Sequence, residues 1–233
     1  MLRERISPDG LSDFLKYLAA LSPLDDGKLP SLTDLSQQLG VSVASLREQL
    51  EVARALGLVE VRPKTGIRRL SYTFRPAVRL SLAYSVSIDP KSFQDFADLR
   101  NHIEAAYFYQ AVSVLTPQDH QYLSGLIECA EQKLHGHPVQ IPHDEHRELH
   151  LSIYRRLGNP FVLGMLEAYW ESYEAVGLNV YTDITYLDQV WKYHRKMVEA
   201  ICVGDHSSAY RALVDHNDLL NRRPRPVSKQ KFE

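Results

Sequence analysis

The sequence predicts a mainly α fold, with three short helices and a small β-hairpin leading into an all-α antiparallel helical bundle, and three observations carry that reading. Apolar residues recur at three- and four-residue spacing along most of the chain, the periodicity of amphipathic helices. The period changes near residues 58–72, where LVEVR and GIRRLSY flank Pro63-Lys64-Thr65-Gly66, the residue types of a tight hairpin turn. Charge and histidine are unevenly divided. Residues 1–80 carry twelve Lys/Arg against nine Asp/Glu, residues 81–233 carry fifteen against twenty, and all ten histidines lie at position 102 or later. Two units with different tasks are implied.

Leu11, Phe14, Leu15 and Leu18 mark one face of a first helix, with Ser12 placed to cap it. SPLDDGK reads as a loop. Ser31 with Asp34 three residues on is a capping-box pattern that opens a second helix, and Gly40 is its stop. Ser42 or Ser45 caps a third helix running to about Leu56, ended by Gly57. Helix, helix, turn, helix, hairpin is the order of a winged helix-turn-helix, which places one helix in the major groove of DNA and a basic hairpin beside it. Residues 61–79 suit that use, with six basic residues and no acidic one.

From Ser92 onward helices are expected near 92–115, 117–134, 142–157, 160–176, 184–203 and 206–221. Pro117, Gly136, Pro138, Pro142, Gly158, Pro160 and Gly204 separate them. Short connections between long amphipathic helices predict an antiparallel bundle. The expected divisions are a DNA-reading unit over 1–75, a linker over 76–91, the bundle over 92–222 and a basic tail over 223–233.

Apolar residues at 44% and charged residues at 24% describe an ordinary globular chain rather than a disordered one. No apolar run is long enough to span a bilayer, and MLRERISPDG lacks the apolar core of a signal peptide, so a cytoplasmic location without a membrane partner is expected. Cys129 and Cys202 form no CxxC pair and read as reduced, buried thiols. There is no GxSxG, P-loop or GxGxxG. The run HRELH, residues 146–150, is neither HExxH nor HxxEH, because Arg147 and Leu149 stand where those motifs place glutamate. An enzyme is not expected.

One helical turn separates His146 from His150, and the same stripe continues to Ile153 and Leu157, so both imidazoles point inward. Leu187, Val190, His194, Met197 and Ile201 share one face of a later helix, and Ala209, Leu213 and His216 share one face of the last. A single inward histidine is usually a core residue satisfied by a hydrogen bond. Four from three helices can instead converge on one ion, as bundle cores allow. His143 and Asp144 lie near enough to substitute if the local register differs. Arg100 also faces inward, beside Phe96, Ile103 and Tyr107, and a buried guanidinium needs a partner. Glu104 is a local one, and the carboxylate of a bound molecule is another. Tyr107, Tyr154, Trp170 and Trp191 are candidates to line a cavity there or simply to fill the core.

LPSLTDLSQQLGVSVASLREQLEVARALGLVEVRPKTG resembles the winged-helix signature of the GntR family of transcription regulators. DLRNHIE, HRELHLSIYRRLGNP, KYHRKMVEAICVGD and ALVDH resemble the FCD effector domain of its FadR-like branch. The resemblance implies that residues 33, 43, 44, 45, 47 and 64–66 face DNA. Here those are Thr33, Val43, Ala44, Ser45, Arg47, Lys64, Thr65 and Gly66, and the arginines usual at the first two are absent. Arg47 is the long cationic donor left, able to pair with guanine or take a phosphate, while Arg62, Lys64, Arg68 and Arg69 of the hairpin offer phosphate contacts.

The resemblance also implies a metal site of one Asp and three His, and in this chain the Asp position is His146, followed by His150, His194 and His216. An all-imidazole set favours Zn or Ni over Mn or Mg. The matching arginine of FCD domains binds an effector carboxylate, which assigns Arg100 to a small organic acid. The expectation is a homodimeric regulator of double-stranded operator DNA, holding a divalent transition metal and a small carboxylate metabolite. The rival reading is a metal-dependent enzyme or metal-binding protein whose winged helix has lost its DNA contacts.

Overall fold

The Ser12 side chain accepts a hydrogen bond from the Leu15 amide and starts α1 (Asp13–Ala20). Ser31 and Asp34 form a reciprocal capping box on α2 (Leu32–Leu39), which closes on left-handed Gly40. Ser42, not Ser45, caps α3 (Val43–Ala55). Strands β1 (Val59–Arg62) and β2 (Gly66–Arg69) pair antiparallel with Val59 opposite Arg69 and Arg62 opposite Gly66. Phe14, Leu35, Leu46 and Ala53 are fully enclosed in a core shared by these elements, and Leu18, Leu29, Leu50, Val59 and Ile67 complete it. This is the expected winged helix, seen here in a computed structural model that describes residues 10–22, 27–175 and 183–221. The basic tail over 223–233 lies outside the described residues.

The stretch expected as a linker holds a helix, α4 (Arg75–Ile88), with Pro76 in its first turn. Pro is tolerated there because the first amides of a helix have no intrahelical partner. Two close approaches fix its start. Gly57 ends α3 at φ 68°, in the left-handed region, and a Cβ on it would stand 2.5 Å from Pro76 Cγ. Gly164 lies so near the linker that a Cβ would stand 2.6 Å from the Arg75 nitrogen and 2.9 Å from Phe74 Cβ. Phe161 packs edge-on against both Tyr72 and Phe74, and Arg75 pairs with Glu171 at 2.9 Å.

The remainder is helical: α5 (Ser92–Val112), α6 (Pro117–Leu134), α7 (His143–Arg155), α8 (Pro160–Ala175), α9 (Ile184–Cys202) and α10 (His206–Asn221). Thr116 and Asp119 cap α6 reciprocally. α9 packs against α10 and α6, α7 lies among α5, α6 and α8, and α4 runs along α8. A second core, separate from that of the winged helix, joins Phe108, Leu123, Leu149, Ile153, Leu166 and Ile201 among others. No helix among the described residues is long and apolar enough to cross a membrane. Both cysteines are exposed, against expectation, because each sits on the outward side of its helix. Cys129 donates to Glu145, itself paired with Lys133 at 2.6 Å, and Cys202 lies 3.7 Å from the Ser124 hydroxyl.

Candidate metal and effector site

α7, α9 and α10 bring His146, His150, His194 and His216 together inside the bundle, and one ring nitrogen from each lies within 4.8 Å of the others. His150 and His194 are fully buried, His216 nearly so, and His146 is 9% exposed. His143 and Asp144 stand outside the cluster, so the local register is the simple i, i+4 one. Glu148 points away from it, toward Tyr122, Ser152 and Arg155. Trp170 meets the His146 ring edge-on at 4.7 Å, and Trp191 stands 4.9 Å from the His194 ring. Tyr154 belongs to the core and donates its hydroxyl proton to the Glu104 carbonyl at 2.9 Å, and Tyr107 packs half-buried at the core edge.

His194 Nε2 lies 3.2 Å from His150 Nε2 and 3.2 Å from His216 Nε2. His150 Nδ1 faces Glu104 Oε1 at 3.1 Å, so its proton belongs on Nδ1 and its Nε2 carries a lone pair. With one proton per neutral ring, at most one of the two Nε2 contacts is then a full hydrogen bond. Nitrogens tetrahedrally bound to one zinc stand about 3.3 Å apart, so the spacing suits a shared cation. His146 Nε2, His194 Nδ1 and His216 Nδ1 have no hydrogen-bond partner among the described residues. Burial holds His146, His194 and His216 well below the usual imidazole pKa, and also lowers His150, though Glu104 opposes that shift. Neutral imidazole is the form that ligates metals.

Beside the cluster, Arg100 is 2% exposed and Glu104 fully buried. Arg100 Nη1 lies 3.1 Å from Glu104 Oε2 and donates to Asn101 Oδ1 at 2.8 Å, whereas its Nε and Nη2 have no hydrogen-bond partner among the described residues. The guanidinium stacks over Tyr169 at 4.5 Å and Trp170 at 5.3 Å. Burial would raise the Glu104 pKa, but the charge of Arg100 and the contact with His150 bring it below the usual carboxylate value. Tyr169 and Asn217, whose Oδ1 lies 3.5 Å from Arg100 Nη1, went unnoticed in the sequence. Their only signal is adjacency, Tyr169 to Trp170 and Asn217 to His216.

The FCD domain family matches residues 95–219, more than half of the chain. The chain belongs to the FCD family. A winged helix precedes that domain in the chain. A solved structure of Streptococcus agalactiae GntR superimposes with a TM-score of 0.67 at 22% identity, covering 90% of this chain and 96% of that one, and so shares its fold. The Escherichia coli (strain K12) "Putative L-lactate dehydrogenase operon regulatory protein" is 27% identical over 230 residues, 95% of this chain and 87% of that protein. The Shigella flexneri protein of the same name aligns equally well.

On the winged helix of this FCD protein, Thr33, Ala44, Arg47, Lys64, Thr65 and Gly66 are exposed, while Val43 and Ser45 are half-buried. Ser45 Oγ accepts from Gln49 Nε2 at 3.2 Å. Arg47 makes no hydrogen bond or ion pair among the described residues. The hairpin is less basic in practice than in sequence. Arg69 turns inward and donates to the Leu21 and Ser22 carbonyls, and Arg62 pairs with Glu60 at 2.9 Å.

Proposed function

We propose that this regulator binds operator DNA through Arg47 and the wing, and that a small organic acid held in its FCD domain controls that binding. The observation that carries the reading is the convergence of four buried neutral imidazoles beside a buried guanidinium with two unused donors. His146, His150, His194 and His216 would hold the metal, with Zn or Ni favoured by an all-nitrogen set. A bound divalent ion would supply a Lewis-acidic centre for carboxylate or hydroxyl oxygens. Arg100 takes a carboxylate through its free Nε and Nη2, in the paired geometry that guanidinium offers. Tyr169 and Trp170 press on the guanidinium face and exclude water from it. A short 2-hydroxy acid fits both demands, and it agrees with the lactate operon in the name of the E. coli relative.

Thr33 and Val43 stand where cations would otherwise approach DNA, so affinity rests on few charges and falls more gently with salt than in an arginine-rich relative. Gel shifts with fragments upstream of the protein's own operon test the reading. Sequence-specific retardation, relieved or strengthened at least about tenfold by lactate or another 2-hydroxy acid, is expected, and Arg100→Ala should abolish the response while sparing DNA binding. Loss of retardation on every fragment at physiological salt refutes it.

The protein acts as a homodimer in this reading, because winged helices of this type read paired half-sites. Support comes from α4, where Leu80, Tyr84 and Ile88 form an exposed i, i+4, i+8 stripe at 51%, 70% and 68% exposure. Light scattering at micromolar concentration should give twice the chain mass, and a single-chain mass counts against the dimer.

A further inference from the structure

Four neutral imidazoles bring no charge to a divalent ion, and Arg100 adds a further positive charge within the same buried volume. Burying an uncompensated charge is costly. Asp144 is 81% exposed, and Glu145 is engaged at the outer side of α7 by Lys133 and Cys129. Among the described residues, the carboxylate that touches the histidine cluster is Glu104, from α5, whose Oε1 is 3.1 Å from His150 Nδ1. A carboxylate so placed on a ligating histidine fixes its tautomer and raises its basicity. Glu104 Oε2 has no hydrogen-bond partner despite lying 3.1 Å from Arg100 Nη1, because the alignment is poor. The carboxylate is therefore oriented by His150 at least as much as by its neighbour one turn earlier.

We propose that Glu104 is the positioning residue of the metal centre. It accepts the hydrogen bond from the Nδ1–H of His150, turns the Nε2 lone pair of that ring into the cluster, and supplies from one residue further out the negative charge that four imidazoles do not. Because Glu104 also lies against Arg100, the anion that balances the metal and the cation that receives the effector share one contact. The inference rests on the metal reading above.

Cobalt(II) titration of the full chain tests it, with affinity read by chelator competition and geometry by the visible ligand-field bands. Glu104→Gln keeps the shape and an acceptor oxygen but loses the charge. It is expected to weaken cobalt binding about 10- to 100-fold and to shift the bands, while Glu104→Asp, which keeps the charge on a shorter arm, recovers part of the affinity. A residue serving only as the partner of Arg100 would leave both readouts unchanged, and that result overturns the proposal. Nitrogen-15 spectra of the metal-free wild type, which need no variant to fold, should show His150 protonated on Nδ1, and an Nε2-protonated ring likewise overturns it. If the wild type takes up no cobalt at all, the metal reading itself falls and takes this inference with it. Cobalt uptake unchanged by Glu104→Gln sinks this inference alone.

Discussion

A His150→Ala/His194→Ala protein is expected to carry no metal where the wild type, purified without a tag, carries about one equivalent per chain. The two substitutions remove the central members of the cluster, since His194 Nε2 is the atom that contacts both His150 and His216 at 3.2 Å. What remains, His146 and His216, offers two nitrogens from helices that no longer meet through a shared neighbour. Two imidazoles do not hold zinc or nickel against buffer and chelator as four do. The check is inductively coupled plasma mass spectrometry before and after reconstitution with Zn or Ni. Exposed His102→Ala/His137→Ala serves as control, because those rings lie outside the cluster. A wild type that stays empty after reconstitution, or a double variant that keeps its equivalent, removes the metal from the account. A regulator of the kind proposed above would then need another way to hold an effector beside Arg100.

The metal-free protein should lose stability steeply as pH falls below about 6.5, and bound metal should delay that loss. Burial keeps the pKa values of His146, His194 and His216 well below the usual imidazole value in the folded chain, whereas in the unfolded chain they titrate near 6.5. Below that pH the unfolded state binds protons that the folded state refuses, so stability present at neutral pH declines as the solution is acidified. Each such ring contributes at most about 1.4 kcal/mol per pH unit, and three give a ceiling of about 4 kcal/mol per unit, a large share of a typical domain's stability. Carboxylates act in a lower window. The lowered pKa of Glu104 gives stability that is present above its unfolded value and lost only as pH falls through the acid range. Urea melts at pH 7.5, 6.5 and 5.5, with and without Zn, make the measurement. A midpoint indifferent to pH across that range would show that the four rings titrate as solvated groups.

Much of this architecture was legible because it is written locally. The Ser31/Asp34 capping box, the Ser42 cap and the helical stripes of His146, His150, His194 and His216 each lie within one or two turns, the range over which sequence spacing maps onto a helix face. The rest depends on contacts between distant segments. RPAVRLSLAYSVSI is rich in serine and β-branched residues and opens beside a proline, so it read as a linker. It is a helix because α8 receives it, with Gly164 clearing the space for Phe74 and Arg75. Arg69 looked like a phosphate contact until its guanidinium turned to carbonyls 47 and 48 residues away. The cysteines looked buried because thiols usually are, yet a single position on a helix decides that. Tyr169 and Asn217 join Arg100 from α8 and α10, and in the sequence only their adjacency to Trp170 and His216 hints at it.

α8 carries Gly164, seated against the first residues of α4, and six positions later Trp170, seated against His146 and His150. Six residues of helix span about 9 Å, and no loop or glycine interrupts them. The wall of the histidine chamber and the seat of the segment that follows the winged helix are therefore two ends of one short rod. A shift of α8 along its axis at Trp170 would therefore be felt at Phe74 and Arg75. The path between the histidine chamber and the end of α3 is in this sense only as long as α8 and the turn from Gly57 to Pro76.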